Sequence, residues 1–273
     1  MSSIGRGSPF AMPPVIKNII IINIGVFVVT LLAGGFMFRY FSLYSLKSPF
    51  FQPYQLITHM FMHGSLGHIF FNMFGVFMFG RILESVWGSK KMLIFYTVCG
   101  LGAAFTHLTV NYIQMSKLFS LAGQFEVAPG YSLFNEIVDR FGIRQTNYYD
   151  QMISFMQQWF YQTDDKSFIP QAAMYVQRIV GTNLQVPTVG ASGAVFGLLI
   201  AFAMMFPEVE LIFIFLPVPI KAKYLVPIYA VVELVFGVSN FKWDNVAHFA
   251  HLGGALFGFL LVKYWKKNQF KIY

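Results

Sequence analysis

The chain has 273 residues, of which 56% are hydrophobic, 19% aromatic and 11% charged, and its formal net charge is +8. Globular domains carry about 25% charged residues, so a water-soluble enzyme is excluded for want of polar surface, and the aromatic content excludes intrinsic disorder. The single cysteine, Cys99, excludes a disulfide framework within the chain and any site built from several cysteines.

What remains is an all-α, polytopic membrane protein. A span needs about 20 mostly apolar residues, and six segments meet or approach that length. They are Val15–Gly34, about Leu66–Leu83, about Met92–Ile113, Gly190–Phe206, about Ile220–Val238 and Val246–Tyr264. Pro207 stops the fourth, and the fifth contains Pro227 and Glu233. The apolar piece Leu211–Pro219 is too short to span and is expected to dip along the interface as a loop. Residues 1–14 form a tail without a clear signal peptide, residues 15–265 a six-helix membrane domain, and residues 266–273 a second tail. Between the third and fourth spans lies an insert, 111–188, that is long for any connection. Its apolar residues recur at helical spacing (Leu133, Ile137, Phe141, then Met152, Phe155, Met156, Trp159). The expectation is one or two amphipathic helices lying on the outer membrane face.

Six spans put both termini on one side, and Lys and Arg decide which. One set of short flanks holds ten, Arg6, Lys17, Lys90, Lys91, Lys221, Lys223, Lys263, Lys266, Lys267 and Lys271, and Arg81 at the inner end of the second span makes eleven. The opposite short loops hold three, Arg39, Lys47 and Lys242. Both termini are therefore expected in the cytoplasm and the insert outside it, with a bacterial inner membrane as the expected setting. Basic residues clustered at the ends of apolar runs report topology and a lipid bilayer partner. They are not the footprint of nucleic-acid binding.

An ionisable or strongly polar residue at bilayer depth is costly and marks function by default. Three clusters stand out. In "THMFMHGSLGHIFFNMFG", His68 and Asn72 are four apart and share a helix face, where both can donate hydrogen bonds, either as interhelical glue or to a ligand. His59 and His63 have the spacing of two zinc ligands on a helix, but no HExxH pattern and no acidic third ligand accompany them, so neither a metal nor another cofactor is expected. In "VGASGAVFG", Ser192 follows Pro187 and Gly190 at a helix start, where free backbone N–H groups and the positive end of the dipole favour a developing anion. Gly193 and Gly197 in the same stretch form a GxxxG pattern, which by itself is ordinary close packing. In "AHFAHLGGALFG", His251, Gly254 and Gly258 line one helix face. If that face meets Gly193 and Gly197, His251 comes within reach of Ser192, and a neutral imidazole beside a serine hydroxyl is a minimal activated nucleophile. His248 is the competing base. Its i+3 neighbour is His251, which has no small side chain.

Taken together, these motifs resemble the rhomboid intramembrane serine proteases over all six spans, in the family's order. They are His-x-x-x-Asn at His68–Asn72, Gly-x-Ser-Gly at Gly190–Gly193, and Ala-His-x-Gly-Gly-x-x-x-Gly around His251. The resemblance implies a Ser192–His251 dyad without a third acid. It also implies an oxyanion site formed by His68, Asn72 and the Ser192 backbone with help from Gly190, and a buried structural acid at Glu84. The implied substrates are transmembrane segments of other proteins, cut near their outer end. Two departures are visible. The family's Trp-Arg pair in the first outer loop reads Tyr54-Gln55 here, which puts the packing of that loop in question, and the insert is far longer than in the basic six-helix form. A non-proteolytic, rhomboid-like binder of membrane proteins is the alternative. A transporter with a histidine relay is a third reading, and only Glu233 is placed for it.

Overall fold

The computed structural model describes residues 12–143, 146, 148–213, 216–239 and 247–269. Arg6, Lys242 and Lys271 from the charge count, and Val246 at the expected start of the sixth span, lie outside the described residues.

Helix α1 (Pro14–Phe41) opens with proline at its first position, where the missing N–H costs nothing. The next two amides, of Val15 and Ile16, donate to the Glu84 carboxylate at 3.0 and 2.9 Å. Ser89 Oγ donates to the same carboxylate at 2.7 Å. A buried carboxylate thus satisfies the orphan donors of the helix start and complements its dipole. The inner face of α1, Ile16, Ile19, Asn23, Phe27 and Thr30, steps by three and four. Its outer face exposes Ile21, Val28, Leu31 and Leu32, surface suited to lipid rather than water. The Gly34–Gly35 pair does not end the helix as the sequence predicts. Ala33 alone departs from helical geometry, and the helix resumes to Phe41.

The first loop carries the short helix α2 (Gln55–Thr58) and a 3-10 turn over His59–Phe61. Gln55 is fully buried and ties the loop together: its Nε2 donates to Phe50 O at 2.9 Å and Tyr40 O at 3.3 Å, and its Oε1 accepts from Gln52 N at 3.1 Å. The loop is therefore packed through an amide at the position where the resemblance leads one to expect an arginine.

Helices α3 (Leu66–Gly75) and α4 (Arg81–Trp87) are joined through a π-helical segment, Val76–Gly80, into one 22-residue rod. Gly88, at φ +78, breaks that rod and starts α5 (Ser89–Val127), which is 39 residues long. Among the described residues, four helices are long and apolar enough to cross a membrane: α1, the α3–α4 rod, α5 and α10 (Ala222–Ser239). The α9 helix (Ser192–Met205) is apolar but shorter. The α11 helix (His248–Gln269) is long enough and carries Lys263, Lys266 and Lys267 near its end. The molecule is thus an all-α polytopic membrane protein, with α9 buried at its centre between α5 and α11.

Two expectations are corrected. First, the described residues of the insert form three helices that pack with the tail of α5, where the sequence predicts one or two amphipathic helices. The tail of α5 (Met115, Leu118, Leu121, Phe125) and helices α6 (Tyr131–Phe141), α7 (Tyr149–Phe160) and α8 (Ile169–Leu184) bury their apolar faces in one another. Phe134, Trp159 and Ile137 are among the most deeply buried side chains of the protein. The apolar stripes satisfy each other, so little of them is left for lipid. Second, the segment after α9 is not an irregular loop. Strands β1 (Glu210–Phe213) and β2 (Leu216–Lys221) form an antiparallel hairpin that pairs Glu210 with Lys221 and Leu211 with Ile220. Hairpin pairing satisfies backbone groups that a loop at the interface would leave to water. At its base the exposed Glu208 meets Lys223 and Lys221, which hold its carboxyl below the usual range.

Candidate active site

Ser192 is the first residue of α9, and the first helical hydrogen bond runs from Val195 N to Ala191 O at 3.0 Å. The amides of Ser192 and Gly193 therefore face out of the helix start without intrahelical acceptors. The chain reaches this point under tight constraint. Thr188 exchanges backbone hydrogen bonds with Leu43 at 2.8 and 2.9 Å, its Oγ1 lies 2.8 Å from His107 Nε2, and Gly190 N donates to His59 O at 2.9 Å. Gly190 is required twice over. Its φ is +122, and a methyl group there would sit 2.7 Å from His68 Nε2 and 3.7 Å from Ser192 Oγ. The His68 ring and the Ser192 hydroxyl thus flank the bare Gly190 backbone.

His251 Nε2 lies 2.8 Å from Ser192 Oγ. The glycine faces set that distance. A methyl at Gly254 would overlap the Gly193 carbonyl, one at Gly258 would come within 3.0 Å of Gly197 Cα, and one at Gly197 would overlap the Cys99 side chain of α5. Helices α9 and α11 can approach this closely only because these side chains are absent. The His251 ring also stacks on Phe196, with centroids 4.3 Å apart and planes 8° from parallel. Phe196 stands one turn after Ser192 on the same helix, so α9 supplies both the hydroxyl and the platform for the imidazole beside it.

The third contact of His251 departs from the acid-free dyad that the resemblance implies. Its Nδ1 lies 2.9 Å from Glu233 Oε2, and His248 Nδ1 lies 2.7 Å from the same oxygen. Glu233 is buried, as is His251. The charged residue of the fifth span was noticeable in the sequence, but its partner was not. Eighteen residues separate Glu233 from His251, and no local spacing rule connects them. Phe196 had a signal, its i,i+4 relation to Ser192. The three ligand-type atoms of Glu233, His248 and His251 lie within 4.8 Å of one another, so this trio, rather than His59 and His63, has the composition to hold a metal ion.

Asn72 is buried on α3, and its Nδ2 donates to the His68 carbonyl at 3.0 Å. Ser65 caps α3 by accepting from His68 N at 3.1 Å. His63 packs edge-on against the His68 ring at 5.0 Å. Behind Ser192 a cavity of about 20 Å³, the room of a single water, is lined by His59, His107, Thr188 and Gly190. Burial pushes His59 down to about 4, so its ring is neutral at pH 7. Glu84 lies at the start of α1, as a structural acid in a helix cap.

Comparison with known proteins addresses the family of the chain. The family model described as the Rhomboid domain matches residues 51–132 and 153–267, and so leaves out part of the insert. The chain is 26% identical over 228 residues to an uncharacterized mitochondrial rhomboid protein of Schizosaccharomyces pombe, covering 78% of this chain and 52% of that protein. It is 34% identical over 80 residues to the rhomboid protease GlpG of Haemophilus influenzae, covering 29% of this chain and 40% of that protein. It is 36% identical over 81 residues to the mitochondrial rhomboid protein 1 of Saccharomyces cerevisiae, covering 30% of this chain and 23% of that protein. The chain thus spans about half the length of the first of these relatives and less of the other two. With most of its residues matched by that model, the chain belongs to the rhomboid family.

Proposed function

We propose that this protein is an intramembrane serine endopeptidase that cuts transmembrane segments of other membrane proteins near their extracytoplasmic end. The observation that carries the reading is the 2.8 Å approach of His251 Nε2 to Ser192 Oγ at a helix start, where the amides lack intrahelical acceptors. Ser192 Oγ attacks the scissile carbonyl carbon while its proton passes to His251 Nε2. The carbonyl oxygen, now an anion, is met by the Ser192 amide, by His68 beside Gly190, and by Asn72. Collapse of the tetrahedral adduct breaks the C–N bond, and His251 returns the proton to the leaving amine. Water then attacks the acyl carbon as His251 takes its proton, and collapse of this second adduct breaks the bond to Ser192 Oγ, which recovers its proton from His251 as the new carboxyl end leaves. The substrate must unwind locally, because an intact helix hides its carbonyls in its own hydrogen bonds.

For location, the ten-to-three imbalance of flanking basic residues supports cytoplasmic termini and an extracytoplasmic insert in a cell membrane. Several relatives are named as mitochondrial proteins, which makes a mitochondrial membrane the second reading. The chemistry is tested by labelling the purified protein with a serine-reactive phosphonate and mapping the modified peptide. The expected adduct is on Ser192, and it is lost in His251→Ala. Modification of another serine, or none in a folded sample, would leave a non-proteolytic membrane-protein binder as the better reading.

A further inference from the structure

We propose that Glu233 is a positioning residue for catalysis, which makes the Ser192–His251 pair of this protein the working end of a Ser-His-Glu relay. This deepens the protease reading and rests on it. Three observations point the same way. Glu233 Oε2 lies 2.9 Å from His251 Nδ1, on the opposite side of the ring from the Ser192 hydroxyl at 2.8 Å. Glu233 and His251 are both buried, so water does not compete for the bond. His248 Nδ1, at 2.7 Å, anchors the same carboxylate oxygen from one turn earlier on α11.

The chemistry follows from the donor inventory. An ionised carboxylate can only accept, so the proton on His251 must sit on Nδ1, which leaves Nε2 as the bare acceptor that Ser192 needs. When Nε2 takes the serine proton the ring becomes an imidazolium with N–H on both sides. The proton on Nδ1 stays where it is, and the Glu233 charge, already in place, balances the new positive charge at a buried site. Phe196, stacked on the ring face, removes the remaining freedom of tilt. Among the described residues, the other titratable groups facing this pair are His248 on α11, Tyr229 one turn earlier on α10, and His68 and His107 across the site. Helix α9 contributes no charged side chain.

The test compares wild type with Glu233→Gln, Glu233→Asp and Glu233→Ala. Each is purified as the full chain and assayed on a fluorogenic transmembrane substrate in lipid vesicles over a range of pH. Glu233→Gln keeps the shape but its amide can donate to Nδ1 and invert the tautomer. A loss in kcat of about 10²–10⁴ with KM changed less than threefold is expected. Glu233→Asp should restore at least tenfold over Gln. In Glu233→Gln the acid limb of kcat/KM is expected to move, because the carboxylate charge beside the ring is gone. A packing role would change the melting temperature without moving that limb. Should Glu233→Gln fail to fold, nitrogen-15 NMR of histidine-labelled wild type reads the tautomer directly: His251 protonated on Nδ1 in its neutral form supports the relay, and on Nε2 overturns it. Glu233→Gln within threefold of wild type with an unmoved acid limb would also overturn it. So would activity that chelators abolish and zinc restores, which would assign the trio to a metal ion. If wild type neither cleaves nor takes a phosphonate at Ser192, the protease reading itself fails, whatever the Glu233 variants do.

Discussion

Asn72 has two amide N–H groups, and the described contacts use one of them, on the His68 carbonyl at 3.0 Å. The bond to its own helix fixes the side chain. The second N–H is the one that the proposed oxyanion role would use. If Asn72 serves the oxyanion, its loss falls on the transition state rather than on binding. Asn72→Ala is expected to lower kcat by roughly 10- to 10³-fold, the range spanning a shared and an unshared oxyanion donor. Apparent KM should change less than kcat, and the melting temperature only modestly, in an assay with substrate expressed per membrane volume. Normal turnover with a large drop in melting temperature would assign Asn72 to packing. At this scale the sequence is informative where chemistry and spacing are local. Ser192 at a helix start and His251 on a glycine-lined face can both be read from a few neighbouring residues. Glu233 cannot be placed, because its register against α11 depends on how two helices dock and no short-range pattern encodes that.

Among the elements, the glycine stripes and the insert show opposite degrees of legibility. Gly193, Gly197, Gly254 and Gly258 are spaced for close packing, and bare faces in two helices of a bundle have few better partners than each other. The insert displays its helical periodicity equally clearly, yet periodicity says only that a face is apolar. It does not say whether lipid or protein covers it. Phe134, Ile137, Trp159, Tyr175 and Ile179 cover one another, on a tail of α5 that runs on to Val127, well past the expected end of the third span near Ile113. The β1–β2 hairpin was illegible for a related reason, since a short apolar run bounded by prolines fits a loop as well as a strand. The side of the membrane on which the insert stands can be tested at Ser167, which is exposed in the turn before α8. A cysteine there, with the buried Cys99 replaced by alanine, should react with an impermeant thiol reagent in intact cells. Reaction only after lysis would reverse the topology and place the Ser192 end of α9 on the cytoplasmic side.

Across the whole molecule, one arrangement serves both stability and chemistry. The Glu84 cap fixes the start of α1 against α4 and α5, α9 is enclosed by α5 and α11, and the loop before Ser192 is tied to Leu43, His59 and His107. The serine is thereby held at the end of a short, central helix. In the protease reading a transmembrane substrate must be drawn to this site and unwound. The most direct measurement is cleavage of a model transmembrane substrate by purified protein reconstituted in lipid vesicles, wild type against Ser192→Ala, with product ends determined by mass spectrometry. The predicted result is a single cut near the extracytoplasmic end of the substrate by wild type, and loss of at least about 10³-fold in rate for Ser192→Ala with an unchanged melting temperature. Equal cleavage by the folded Ser192→Ala protein would contradict a serine protease centred on this residue.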